Sequence, residues 1–371
     1  MALTRLATTT LNLPDGPVEV AVGEATPEQQ LECCRLAGTA FAAPLSQDQY
    51  VELERHLGSL PLAVPRARRY WCLYPINNPN CILATCKTLH RFILVKEGAK
   101  VTENDGYCIA SVITNPDYRK AGLASMLMGH VAEWMDGPGA ATASMLYTSI
   151  GDFYAKRGWG PLPAFESTLT CATNATFDRP PSLPGTRVLT PTDVDTLCAR
   201  DVESVKVVMR QMQTSTGQRL AAVSPTADLI NLLQERANFM ALKQFGKPTE
   251  HRGAISESGD SWLYWYHDFR KGQLAVLRIH LSHGFAGRQP EQLVSLFLDA
   301  LEEAAAWALP KVTVWDANPV VLEALDLLED RHAVKVTNGQ RQQRSIPSLR
   351  WRGDDGSKTA CLHCNEFYAW S

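Results

Sequence analysis

The residues with the clearest chemical use are Arg119-Lys120-Ala121-Gly122-Leu123-Ala124, an R-x-x-G-x-A run between a strand-like and a helix-like segment. At the first turn of a helix several backbone N–H groups lack intrahelical partners, and the helix dipole adds positive potential. Such a place holds an anion, and Gly122 and Ala124 are small enough to let phosphates approach the backbone. An ordinary helix start with a small-residue turn reads the same way, so the run needs company. It finds some in Asp152-Phe153-Tyr154-Ala155-Lys156-Arg157-Gly158-Trp159, which sets Tyr154 one short helix beyond the next strand. A second candidate is Trp262 to Asp268 (WLYWYHD), where Trp262, Tyr264 and Tyr266 share one face and Leu263, Trp265 and His267 the other. Tyr264 and Tyr266, with Tyr368 near the chain end, are candidates to line an amine pocket, because aromatic faces hold ammonium groups. Core packing suits the same alternation. His267 and Asp268 are further candidates for a base or an amine-binding group. Cys361-Leu362-His363-Cys364 contains C-x-x-C, but zinc wants four ligands and His332 stands at no familiar spacing, so no metal is expected. Cys108 reads as a small buried apolar residue.

These groups must be held by a scaffold, and the apolar periodicity supplies one. Pro27 to Ala42 and Gln47 to Leu57 read as helices, followed by strands at Cys81–Cys86, His90–Lys96 and Gly106–Thr114. Leu123, Met126, Leu127, Val131 and Trp134 recur at three and four, so the R-x-x-G-x-A run joins a strand to an amphipathic helix that stops at Gly137-Pro138. Ser144–Ile150 reads as a buried strand, Asp152–Arg157 as a short helix, and Phe165–Ala172 as a strand closing the first domain. Pro180, Pro181 and Pro184 mark a stiff linker, beyond which Pro191–Gln213 and Pro225–Leu242 read as helices. Strands at Trp262–Phe269 and Gln273–Leu281, a helix at Pro290–Trp307, a strand at Lys311–Asp316 and a helix at Pro319–Leu328 follow. Ser144 and Lys311 are as far apart in sequence as Tyr107 and Leu274, so strand, helix and strand recur at one offset. The expected plan is an α/β chain with mixed sheets: residues 1–178, a linker at 179–186, and a degenerate copy at 187–371.

Composition narrows the partners. The 371 residues are 45% hydrophobic and 20% charged, ordinary for a globular chain, and the net charge of -3 argues against a sequence-independent nucleic-acid binder. No apolar run approaches the roughly 18 residues of a membrane span, and the start lacks the plan of a signal peptide, so a cytoplasmic address is expected. Ten cysteines follow no framework spacing and read as reduced.

Taken together, the R-x-x-G-x-A loop and the F-Y-x-x-x-G-W segment resemble the GNAT acetyltransferase family. The resemblance implies that Arg119, Lys120, Ala121, Gly122, Leu123 and Ala124 cradle the CoA pyrophosphate. It implies that Val112, Ile113 and Thr114 pair with the pantetheine, and that Tyr154 protonates the departing thiolate. Acetyl-CoA would be the cosubstrate and transfer would be direct. A wider resemblance, to fungal lysine N-acetyltransferase-like proteins that acetylate free lysine, rests on Pro44-Leu45-Ser46, Tyr50, Leu83–Leu89, Ile109–Ala124, Val314–Pro319, Ser345–Trp351 and Asn365–Trp370. It implies a small-molecule amine acceptor, with lysine first. A secondary-metabolite or xenobiotic amine, and an acyl-CoA sensor without turnover, are the other readings. In tandem GNAT enzymes such as N-myristoyltransferase a terminal carboxylate acts as base, and by that likeness Ser371 is a candidate here. The second half carries Ser282–Gln289 in place of the phosphate loop, so it is expected to cover the acyl site and to bind no CoA.

Overall fold

The computed structural model describes residues 4–13, 16–60, 64, 66–171, 177–214, 218–282, 289–353 and 359–370. They build two mixed sheets. The first runs β1 (Arg5–Leu13), β2 (Gly16–Glu24), β3 (Arg68–Pro75), β4 (Ala84–Glu97), β5 (Lys100–Thr114), β6 (Ala143–Thr148), β16 (Ile346–Trp351) and β7 (Gly160–Pro161). Beyond this path β10 (Gln218–Val223) pairs with β4, and β17 (Thr359–Leu362) with β10. The second runs β15 (Val334–Gln340), β8 (Phe165–Cys171), β14 (Lys311–Trp315), β13 (Gln273–His280), β12 (Trp262–Asp268), β11 (Gly253–Ser256) and β9 (Thr186–Leu189). The helices are α1 (Pro27–Phe41), α2 (Gln47–Ser59), α3 (Leu123–Asp136), α4 (Pro191–Gln211), α5 (Ala227–Phe245), α6 (Gln289–Ala306) and α7 (Pro319–Arg331). None of these is long and apolar enough to cross a membrane.

Local chemistry starts the helices that matter to the site. Thr26 caps α1 and Ser46 caps α2, each hydroxyl accepting from the backbone N–H of Gln29 or Gln49 while that glutamine accepts in return, a capping box at both ends. Helix α3 packs Leu127, Met128, Val131 and Trp134 on Trp71, Tyr107 and Ile109, covering one face of the first sheet. The other face shares a core with the second sheet: Leu89, Cys108 and Met145 meet Tyr264, Tyr266, Ala275, Leu233 of α5 and Phe367. Helices α6 and α7 cover the far face of the second sheet, with Phe297, Leu301 and Leu325 against Leu263, Trp265 and Val312.

Three expectations change. Phe165–Cys171 does not close the first sheet but pairs with β14 and β15 in the second. The far edge of β6 is taken by β16, so the two halves exchange strands. Residues 84–97 form one strand rather than two, because Lys87 and Thr88 stay in the ladder despite their polarity. The entry segment, which shows no strong period, forms the β1–β2 hairpin.

Candidate active site

Residues 115–125 form a turn followed by a helix start. Asn115 accepts from the Asp117 N–H (3.1 Å), starting the short 3-10 turn Pro116–Tyr118. Lys120 (φ 68°) and Gly122 (φ 75°) are both left-handed and bracket Ala121. Alternating backbone handedness of this kind turns successive N–H groups toward one concavity. Gly122 caps α3 with no side-chain hydrogen bond, and the first intrahelical bond runs from the Met126 N–H to the Gly122 carbonyl. The amides of Leu123, Ala124 and Ser125 therefore have no partner within the helix. Nothing lies within 4 Å of where a Gly122 Cβ would stand, and residues 119–122 are exposed, so the cradle is open. Arg157 donates to the Ser125 hydroxyl and stacks 3.8 Å from the Phe153 ring, adding a third cation beside Arg119 and Lys120. Bare amides ringed by cations fit a pyrophosphate.

From this loop the first sheet opens as a wedge. Strands β5 and β6 pair in parallel from Gly106–Ala143 to Ile109–Leu146 and then part. Residues 110–114 keep β4 on one side and, among the described residues, have no strand partner on the other, which leaves Val112, Ile113 and Thr114 with a free backbone edge. A β-bulge marks the divergence: Thr85 and Lys87 of β4 pair with Ile113 and Ala110, so two β5 residues face one of β4, and Ser111 takes φ 52°. Bulges of this kind re-aim backbone groups and end strand pairing beside active sites. Tyr154, only 6% exposed, lines a cavity of about 330 Å³ at the end of β6, bounded by Thr148, Ile150, Trp159 and Ser348. Burial raises its pKa above the ordinary phenol, with the Cys86 side adding to the rise and Arg157 opposing it. Its hydroxyl has no hydrogen-bond partner among the described residues. A protonated, unengaged phenol is what a general acid requires.

On the opposite sheet face, a slot of about 10 Å³, the room of one water-sized group, is lined by Tyr50, Glu54, Tyr70, Lys87 and Ser111. Glu54 is its chemical centre. Its Oε2 accepts from Lys87 Nζ (2.7 Å) and from the Tyr70 hydroxyl (3.1 Å), while its buried Oε1 has no hydrogen-bond donor, with Arg236 Nη2 at 3.7 Å. Burial alone would raise this carboxyl; Lys87 and Arg236, with Arg68 beyond, hold it at about 2 instead. Sequence reasoning missed Glu54, Lys87, Tyr70 and Arg236. The available signals were Tyr50 and Glu54 one turn apart on one helix, and a lysine inside the apolar run LATCKTL.

Other candidates are placed differently. Trp262, Tyr264 and Tyr266 do share a face, but it is a core face. Tyr264 is fully buried and accepts from Cys198 Sγ (3.6 Å), Tyr266 is buried near Phe367, and the Tyr368 hydroxyl donates to the Val223 carbonyl at 2.6 Å. The three tyrosines hold the two sheets together and offer no open aromatic wall, which corrects the expectation of an amine pocket there. His267 is committed to Glu303 (2.8 Å) and Asp268 faces Lys271 and Gln273, so neither reaches the wedge. Among the described residues no group of three or more metal-ligating side chains forms. Ser371 lies outside the described residues, as do residues 283–288 of the segment expected to replace the phosphate loop.

Residues 24–162 match the acetyltransferase (GNAT) domain family and residues 171–371 the LYC1 GNAT-like C-terminal domain family. A protein named lysine acetyltransferase from Yarrowia lipolytica (strain CLIB 122 / E 150) is 23% identical over 359 residues, covering 83% of this chain and 88% of that protein. Solved structures agree on the fold. A probable N-acyltransferase from Enterococcus faecalis V583 superposes with a TM-score of 0.56 at 13% identity, over 90% of this chain and 73% of that one. A tandem GNAT protein from the clavulanic acid biosynthesis pathway does so with a TM-score of 0.51 at 12% identity, over 91% and 99%. The chain is thus a GNAT-type N-acetyltransferase, with an acetyltransferase domain followed by a GNAT-like domain of the LYC1 family.

Proposed function

We propose that the chain transfers acetyl from acetyl-CoA directly to the amine of a small molecule, with the ε-amine of free lysine as the favoured acceptor. The observation that carries this reading is the convergence at one bulge: Ser111 lines the Glu54 slot and also lies on the free edge of β5. The left-handed loop at Lys120 and Gly122 holds the pyrophosphate, and residues 112–114 align the pantetheine along the open strand edge. An amine entering from the Glu54 side meets a carboxylate oxygen with no other donor, which accepts an N–H and turns the nitrogen lone pair toward the acyl carbon. The ammonium first sheds a proton to solvent; as the C–N bond then forms the C–S bond breaks, Tyr154 gives its proton to the sulfur, and the second proton lost by the nitrogen passes to solvent, which reprotonates Tyr154. Glu54, held at about 2, orients the amine and is too weak a base to take that proton itself. Lysine is favoured on two supports: the segments around Tyr50 and Lys87 that carry the resemblance also line the slot, and a relative across most of the chain bears the lysine acetyltransferase name.

The test is release of CoA thiol from acetyl-CoA with lysine, ornithine, polyamines, aromatic amines and a lysine-containing peptide. Turnover on free lysine that collapses in Tyr154→Phe is expected. Turnover confined to another amine keeps the chemistry and discards lysine, while acetyl-CoA binding with no turnover on any amine favours a sensor.

A further inference from the structure

Next to the Glu54 slot, on the same sheet face, lies a second cavity of about 40 Å³ between β3, β4 and the start of α5. Arg68, Arg91 and Ser224 line it. Arg91 is 7% exposed and Ser224 1%. Arg91 spends one nitrogen on the His90 carbonyl (2.9 Å), but among the described residues its Nε and Nη2 have no hydrogen-bond partner, and neither do Arg68 Nη1 and the Ser224 hydroxyl. Asp228 is the one acidic residue on the wall, so two guanidinium groups face one carboxylate. Buried guanidinium nitrogens without acceptors are costly, since proteins pair or solvate nearly all such groups. Three side chains with orphan donors on the wall of one cavity are what a site looks like before an anion fills it.

The placement says which anion. Strand register sets Arg68 opposite Leu89 and Tyr70 opposite Lys87, so the cavity and the slot are consecutive stations on one face. From Lys87 to Arg91 the backbone advances about 13 Å at strand rise, a span that a short aliphatic chain plus the reach of an arginine covers. Helix α5 roofs both stations, with Leu229 and Leu232 over the cavity and Arg236 beside Glu54. The geometry points to a carboxylate-binding subsite of the acceptor: Arg91, Arg68 and Ser224 take the carboxylate of an amino acid whose amine lies at Glu54 and Ser111. This inference rests on the acetyltransferase reading and narrows its acceptor from amines in general to amines that carry a carboxylate at a fixed distance. A planar carboxylate suits guanidinium donors, and the apolar Leu89 and Leu232 on the way to the slot suit a methylene chain.

The experiment pairs each amino acid with the amine left when its carboxylate is removed: lysine with cadaverine, ornithine with putrescine, tyrosine with tyramine. Thiol release and calorimetric binding in the presence of CoA are measured for the full chain and for Arg91→Met and Ser224→Ala. For whichever pair is used, kcat/KM for the amino acid is expected to exceed that for its decarboxylated partner by about 10- to 100-fold, the worth of charge-assisted hydrogen bonds. Arg91→Met erases that preference by raising KM for the amino acid more than kcat is changed, and Ser224→Ala does so in part. Removing the unpaired cation also raises the thermal midpoint of ligand-free Arg91→Met, a gain that a merely structural arginine would not give. Equal use of both members of every pair overturns the inference and leaves the acetyltransferase intact. If no amine turns over, carboxylate-dependent binding that Arg91→Met abolishes still supports it, and absence of binding by any amino acid overturns it.

Discussion

The molecule contains two wedges of similar construction, and they are filled differently. In the first half β5 and β6 pair in parallel through Ile109–Leu146 and part, leaving residues 110–114 with a bare edge that leads to the left-handed loop before α3. In the second half β13 and β14 pair in parallel from Leu274–Val312 to Val276–Val314 and part likewise, yet that opening is occupied by the chain itself. Glu366 accepts from the Ile279 N–H (3.1 Å), the Asn365 N–H donates to Asp316 (3.3 Å), and Phe367 packs fully buried 4.4 Å from Trp315. Arg278 joins Glu366 to Asp201, which also holds His280 at 3.0 Å. Strand divergence alone therefore makes a wedge but does not make a cofactor site. The difference lies in the helix that follows: Gly122 leaves bare amides at the start of α3, whereas α6 carries at its start Pro290, a residue with no N–H.

The largest expected effect belongs to the first wedge. Tyr154→Phe should lower kcat by about 100- to 10,000-fold, the usual range for loss of a positioned general acid. Calorimetry should find acetyl-CoA binding unchanged, because the loop and the strand edge are untouched. In the second wedge the matching deletion should act on stability. Phe367→Ala removes a fully buried ring between the sheets and should cost about 3–5 kcal/mol in urea unfolding. A Phe367→Ala protein of normal stability with weakened acetyl-CoA binding would break the comparison, because it would put ligand where the chain end is placed.

How much of this was visible beforehand follows from the range of each signal. The loop, Tyr154 and the alternating face of β12 were legible because each is local: small residues at a helix start, a tyrosine at fixed spacing, a period of two. The exchange of β8 and β16 was not, since both are short β segments and nothing local says which sheet an edge strand joins. The same limit hid the acceptor side. Glu54, Lys87 and Arg236 come from α2, β4 and α5, and only the fold brings them within 4 Å. Tyr264, Tyr266 and Tyr368 erred the other way, because an aromatic stripe looks alike from sequence whether it lines a cleft or a core.

The ion pair on the acceptor side gives the next contrast. Glu54 titrates near 2 when folded and near 4.5 as a free carboxyl, so its contribution is complete above about pH 5 and is lost as pH falls from there toward 2. The shift corresponds to about 3 kcal/mol, and denaturant unfolding between pH 6 and pH 3 should show the decline. Glu54→Gln should flatten that decline and lower stability at neutral pH, because Lys87 is then left buried without its partner. Replacing the second-wedge Glu366 by Gln should not flatten it: burial raises this carboxyl despite Arg278, so it does not share the sign of Glu54.

The smallest effect tests the loop itself. Gly122 sits at φ 75° with open space around its absent Cβ, so a side chain there meets no clash and its cost is confined to the backbone. Gly122→Val should cost about 1–2 kcal/mol for a left-handed β-branched residue. The protein can relieve that strain by rotating the loop out of its phosphate-binding form. The strain should then appear as acetyl-CoA binding weakened about tenfold, with little change in the thermal midpoint of the free protein. Gly122→Asn, which tolerates the left-handed region, should recover most of the affinity. If valine and asparagine weaken binding equally, the backbone conformation is not what Gly122 supplies, and bulk against the phosphates is.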